Sequence, residues 1–400
     1  MWFDMTQHVF LKFQRQISFL IAISISLLHF ALFLRAFLMD NWGPLGVPGM
    51  NPKFGDLKSV TSAVDCMESL LYIDVYQSNC DYWQRPFNYP PVWVDIFRFM
   101  QLNTDSVTAV GMALAVSTSI LLGCWALYTL RRAYSIFSFL FLMTFSLSPS
   151  IFLLDERGNV DSVIFLFFSI IIHLFLRNRI KFSLIITTFA AILKVYPLFL
   201  FGSFFLICNK VSTRVYILFL LTVSLLYLAP FARIILQNTP RTHDYSFGFV
   251  YVLDAYFAYD STLLNVIKVL FGLIIIIFYV LTKKLGLPLG NYLNWKSQDL
   301  ESERILLLSF PMFFLIYLAG SSFNYRIILL LPTLVSLVVL NSKVGRSVVL
   351  LYLPYIFLSM RFTAYSFILD IFLFLGIFCT SIIWLHSANN FVAVKKQRLI

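Results

Sequence analysis

The stretch 182–207, FSLIITTFAAILKVYPLFLFGSFFLI, decides how this chain crosses a membrane. It is one apolar block interrupted by Lys194-Val195-Tyr196-Pro197. Read as a single kinked crossing, it puts Lys210 and Arg214 on the outer side, against the tendency of basic flanks to stay cytoplasmic. Read as two half-length helices meeting at Lys194, it returns both ends to the cytoplasm. Pro197 suits the first turn of the second half, where its missing N–H is not needed. Broken helices occur within membranes where they line protein or a water-filled cavity. The second reading keeps all basic clusters on one side; the single kinked helix is its alternative.

Composition extends the pattern to the whole chain. Its 400 residues are 60% hydrophobic, 18% aromatic and 12% charged, against roughly 25% charged in soluble domains. The fold class is all-α: a polytopic integral membrane protein with about ten crossings plus the half-length pair. No interval between spans is long enough for a separate soluble module, so 1–400 reads as a single transmembrane domain. The net charge of +11 gathers beside span ends. No basic stripe interleaved with aromatics occurs, which sets nucleic-acid binding aside.

Lys12 and Arg15 precede a first apolar run, 17–39, which is too long for a signal-peptide core. It reads as a retained anchor with a cytoplasmic N-terminus. Crossings at 106–130, 134–154 and 162–176 follow, with Arg131-Arg132 and Arg177, Arg179 and Lys181 cytoplasmic. After the broken block come 216–236, 261–281, 305–318, 327–340, 348–360 and 365–385. Both termini are then cytoplasmic. Only one broken block stands out, whereas transporters built from inverted halves often show one in each half.

The interval 40–105 is the extracytoplasmic loop, and its 54–94 portion is FGDLKSVTSAVDCMESLLYIDVYQSNCDYWQRPFNYPPVWV. Leu57, Val60, Val64, Met67 and Leu71 repeat at helical spacing, which predicts an amphipathic interfacial helix. Asp56 sits just before it, either as a helix N-cap or as a functional carboxylate. Asn88 is placed to cap a second helix starting near Val92, after Pro90-Pro91. Cys66 and Cys80 share this loop, and a disulfide between them is left open. No CxxC or His-rich ligand spacing occurs, so no structural zinc is expected.

This topology gathers Asp56, Asn88, Tyr89, Arg157, Asn159, Asp161, His243, Asp244, Asn324, Tyr325 and Arg326 on one membrane face, with Lys194 at the half-helix tips. Ionisable groups at membrane depth are costly and are functional candidates by default. Sugar transfer from a lipid phosphate needs a base for the acceptor hydroxyl, a task for an Asp. It also needs cations for the departing phosphate. Arg326 offers a planar two-pronged contact and Lys194 a point charge. Tyr89, Trp93 and Tyr196 offer faces for sugar or lipid. The bland alternatives are a local ion pair for Arg157, a snorkelling Arg326, an exposed loop His243 and an ordinary loop-to-helix passage at 88–91.

GD at 55–56, Tyr76 and FNYPPVW at 87–93 resemble GT-C glycosyltransferases that use polyprenyl-phosphate sugars. ERGNVDS at 156–162, LKVYPLFLF at 193–201 and FNYRIILLLP at 323–332 are similar to further blocks of the polyprenol-phosphate-mannose-dependent mannosyltransferase branch, of phosphatidylinositol-mannoside type. The resemblance implies an inverting transferase with its site on the outer face of a bacterial plasma membrane. It puts the catalytic aspartate on Asp56, donor-phosphate contacts on Lys194 and Arg326, and further substrate contacts on Asn324, Tyr325 and His243. Many members carry an acidic pair in the first loop. Here Leu57 follows Asp56, so no metal and no cofactor is expected.

The expected partners are a lipid-linked sugar donor, a lipid or glycan acceptor and membrane lipids. Mannose is the sugar the resemblance favours. The rivals are a flippase of lipid-linked sugars, an envelope glycan polymerase and a non-catalytic subunit of a membrane complex.

Overall fold

The computed structural model describes residues 2–69, 74–76, 80–208, 210–239, 246–247, 299–319, 322–340, 343–358 and 366–397. The expected crossing at 261–281, Leu71, His243 and Asp244 lie outside the described residues. The described chain is helical apart from one two-stranded antiparallel pair, β1 (Ser246–Phe247) with β2 (Ser322–Phe323). Five helical segments are long and apolar enough to span a membrane: Lys12–Met39, Thr104–Arg132, Ile136–Arg157, Val211–Ile235 and Ile368–Ser387. Large apolar side chains such as Leu20, Leu27, Phe219 and Leu226 are exposed along them, as lipid-facing surfaces require.

Contacts group the chain into two compact units. The loop unit comprises 29–121 and 151–242; the C-terminal unit comprises 1–28, 122–150 and 243–400. α1 (Trp2–Met39) and α4 (Val107–Arg132) contribute turns to both.

In the loop unit, α2 is Gly55–Ser69, and it begins one residue before Asp56. Leu57, Val60, Ala63 and Val64 make its buried stripe. Its apolar side therefore meets protein. Phe54, 1% exposed, anchors the start of α2 against Phe37 at 5.3 Å and Phe33 at 6.4 Å. α3 is Val92–Phe99 and buries Trp93, Val94 and Phe97. It starts where the prolines indicated, but Pro91 is its N-cap and no side chain caps it. Asn88 therefore does not have the capping role its position offered.

The expected crossing at 134–154 is two helices, α5 (Ile136–Ser146) and α6 (Pro149–Arg157). α6 carries Asp155, Glu156 and Arg157 within its last turn, so these belong to the helix and not to the turn after it. Gly158 then takes φ +57, and a Cβ there would meet Phe54 at 3.0 Å. Glycine lets the chain reverse against the start of α2. α7 (Asp161–Leu176) and α8 (Ile180–Leu193) follow. At 1.5 Å per residue they are about 24 and about 21 Å long, short of a ~30 Å hydrocarbon core.

The broken block is broken at the expected residue. α8 ends at Leu193, and Lys194 is extended at φ −152, ψ 140. A single 3₁₀ turn, Tyr196–Leu198, with Pro197 in its first positions leads into α9 (Phe199–Ile207). α10 (Val211–Asn238) completes the unit.

The C-terminal unit contains α11 (Leu300–Ala319), a 3₁₀ segment Asn324–Leu330, α12 (Leu331–Val339), α13 (Lys343–Leu358) and α14 (Ser366–Gln397). α12 is buried at every position, which explains its mostly apolar sequence; its two hydroxyl residues, Thr333 and Ser336, are both hydrogen-bonded. Buried hydroxyls pair between helices: Ser309 with Thr333 at 2.8 Å and Tyr352 with Thr380 at 2.9 Å. Arg132 Nη1 donates to both carboxylate oxygens of Asp299, at 2.7 and 2.8 Å, while its Nη2 meets Glu301.

Candidate functional site

The start of α2 and the α6–α7 turn place Asp56 and Asn159 together. Asn159 Nδ2 donates to Asp56 Oδ2 at 2.6 Å. Asn159 Oδ1 accepts the Asp161 N–H at 2.9 Å. The amide thus bridges two aspartates, and its orientation follows from the partners, a carboxylate on one side and an N–H on the other. Asp56 is in the first turn of α2, yet its carboxylate turns to side chains. Arg85 Nη1 lies 3.4 Å from Oδ1. The side chain keeps 15% exposure.

Arg85 is fixed in turn. Its Nε and Nη2 donate to Asp81 at 2.9 and 3.0 Å, and Nη2 also donates to the Gly55 carbonyl at 2.9 Å. Its guanidinium lies 4.6 Å from the Trp83 ring centre. Burial pushes the Asp81 carboxyl up, but the bonds and charge of Arg85, with Ser59 and the Trp83 N–H, outweigh it and hold Asp81 below the usual range. Burial lowers Arg85, and Asp81 and Asp56 more than restore it. A disulfide joins Cys66 of α2 to Cys80, the neighbour of Asp81.

The second cluster forms around Lys194. Its Nζ is 3.0 Å from Asp161 Oδ1, which also accepts the Tyr196 hydroxyl at 2.7 Å. Nζ lies 4.5 Å from the centre of the Tyr89 ring. Asp161 is fully buried and Lys194 keeps 11% exposure. Trp93 Nε1 donates to the Leu193 carbonyl at 2.8 Å, pairing an orphaned acceptor at the end of α8. Tyr76 donates its hydroxyl to the Tyr89 carbonyl at 2.8 Å. Burial, then Tyr227 and Asp74, push the Tyr76 phenol well up, so it remains a donor at neutral pH.

The structure thus unites Asp56, Tyr89, Asn159, Asp161, Lys194 and Tyr196 in one connected network. Asn88 lies half-buried beside it. Arg157 takes the local alternative: Nε pairs with Glu156 Oε2 at 3.1 Å. Glu156 Oε1 accepts the Met50 N–H at 2.6 Å and its carbonyl accepts the Phe54 N–H at 3.3 Å. These two residues clamp the chain just before Asp56. Asn324, Tyr325 and Arg326 belong to the C-terminal unit. There Asn324 and Tyr325 are buried, Tyr355 donates to Asn324 at 2.9 Å, and Arg326 is half-buried.

Sequence reasoning passed over Arg85, Asp81 and His29, whose ring nitrogen lies 2.8 Å from the buried Asp155. Asp81 and Arg85 are separated by four residues in the same polar loop as Asp56, a pairing signal that was legible. His29 stacks on Phe152 at 4.6 Å; its only signal was an imidazole inside an apolar run. Among the described residues, no group of three or more His, Cys, Asp or Glu side chains is placed to hold a metal ion. Compared with protein-family models, curated proteins and solved structures, the chain has no significant match.

Proposed function

We propose that the chain is a membrane glycosyltransferase of the GT-C kind. It moves one sugar, mannose by the resemblance, from a polyprenyl-phosphate donor to a lipid-linked or glycan acceptor. Transfer takes place with inversion on the extracytoplasmic face of a plasma membrane. The topology belonging to this reading has about ten crossings, with both termini cytoplasmic. Asp56 takes the proton of the acceptor hydroxyl as its oxygen attacks the anomeric carbon. The bond from that carbon to the phosphate oxygen breaks, and Lys194 and Arg326 stabilise the departing phosphate. Asn159 and Arg85 orient Asp56, while Asp161, Tyr196 and Tyr89 hold Lys194. Asn88, Arg157, His243, Asn324 and Tyr325 remain proposed substrate contacts.

The observation that carries this reading is the Asn159 bridge. It links a partly exposed, oriented carboxylate to a caged lysine at a helix break, and these are the two charges the reaction needs. The test is transfer by the full chain in nanodiscs with a panel of radiolabelled polyprenyl-phosphate sugars, with and without EDTA. The expected result is transfer by wild type, unchanged by EDTA, and a fall of at least ~100-fold in Asp56→Asn, the scale of a general base. Full activity in the variant would remove Asp56 as base. Donor binding without turnover would favour the flippase.

A further inference from the structure

One concave feature of the loop unit is lined by none of the six residues of the Asp56–Lys194 network. A cleft of about 590 Å³ opens between Met67, the turn at 74–76, the start of α3 and the last turns of α10. Ligand sites commonly enclose ~300–1,000 Å³. Its polar groups are Asp74, Asp95, Arg233 and Gln237, set around an apolar surface that includes Tyr76 and Phe231.

The wall is held in place. The Tyr76 and Phe231 rings stack at 6.1 Å and 25°. Asp74 Oδ1 accepts the Tyr76 N–H at 3.0 Å, while the Tyr76 hydroxyl is engaged by the Tyr89 carbonyl. Asn238 Nδ2 donates to the Phe87 carbonyl at 2.9 Å, fixing the end of α10 to the same segment. Tyr76 therefore brings its ring to the cleft while its polar tip is tied to the residue under Lys194.

The chemistry selects a ligand class. Carboxylates accept, a guanidinium donates, and an amide does both, each through two prongs. Neighbouring hydroxyls on a sugar ring supply the complementary pairs, and the C–H face of the ring suits an aromatic surface. Two carboxylates against one guanidinium disfavour a phosphate. Arg233 disfavours an isolated cation.

We propose that this cleft binds a neutral carbohydrate. Its identification as the acceptor glycan, and not the anionic donor, rests on the transferase reading above. The link through Tyr76 and Tyr89 puts the cleft beside the transfer network in the same unit.

The test reads binding, not turnover. Saturation-transfer NMR on the full chain in nanodiscs uses methyl α-mannoside, methyl β-glucoside and maltose as probes. At least one is expected to bind wild type, and Asp95→Asn and Arg233→Ala are each expected to weaken it roughly tenfold, about 1.4 kcal/mol. Both side chains are exposed, so the fold should tolerate these changes. As a second readout, Gln237→Cys is modified by a thiol reagent in a chain carrying Cys124→Ser. Glycoside should slow the modification and farnesyl phosphate should not.

No glycoside binding, binding untouched by both substitutions, or protection by farnesyl phosphate alone would overturn the proposal. Glycoside binding without sugar transfer would count against the enzyme reading only. Transfer with glycoside binding indifferent to Asp95 and Arg233 would count against the cleft only.

Discussion

At the scale of single residues, the chemistry depends on how each buried charge is matched. Asp161 is fully buried and held by Lys194 and Tyr196. Removing one partner of a buried pair costs about 3–5 kcal/mol, whereas replacing both is much milder. Lys194→Met should therefore lower the unfolding temperature clearly, and Asp161→Asn in the same chain should recover most of it. A double-mutant cycle by scanning fluorimetry reads the coupling; strict additivity would show that the two charges do not support each other. Asp81 gives a pH prediction. Its folded pKa lies below the ordinary value, so its stabilisation is present above about pH 4. That contribution is lost as pH falls through the folded value. Melting temperature should thus decline more steeply from about pH 5 to about pH 3 in wild type than in Asp81→Asn. Parallel curves would contradict the assignment.

At the scale of elements, α2 is the piece that presents Asp56, and three devices position it. Phe54 anchors its start, Glu156 holds the chain before it, and the disulfide binds its later turns to the Asp81–Arg85 segment. Closing a loop of this length, Cys66 to Cys80, is worth about 3 kcal/mol in the chain-entropy account. Cys66→Ser with Cys80→Ser should lower the unfolding temperature by several degrees. On the transferase reading proposed above it should also reduce sugar transfer, because Arg85 loses its fixed base. Unchanged stability in the double variant, with the wild-type bond verified by mass spectrometry, would show that the cross-link is not needed to hold α2. The broken block belongs to this scale too. Pro197 and Lys194 were readable as an interruption, and the chain is indeed extended at Lys194. That Trp93 supplies the donor for the carbonyl at the break was not readable, since the two residues are distant in sequence.

At the scale of the whole molecule, the segments long enough to cross a membrane account for much of the apolar composition. The proposed orientation has a direct consequence at the two ends of α4. Met100 and Tyr134 are both exposed, one preceding α4 and one following it. Cysteine at Met100 should react with an impermeant thiol reagent applied to intact cells. Cysteine at Tyr134 should react only after the membrane is opened. The reverse pattern would invert the topology and move the Asp56 network to the cytoplasmic side.

The sequence by itself determined the class of the molecule, because a hydrocarbon solvent imposes a length and a composition that local reading detects. It also determined the helix break and the amphipathic stripe of α2, both set by neighbours along the chain. Only the tertiary structure decided what Asp56 does with its carboxylate. Locally it suits a helix cap; in the fold it meets Asn159 and Arg85, which the reversal at Gly158 and the turn around Asp81 bring to it. Only the fold decided that Arg157 pairs with its neighbour Glu156 while Lys194 reaches Asp161 and Tyr89. Hydrophobic spacing is a local property of the chain. The matching of buried charges is a long-range one, fixed by which turns pack together.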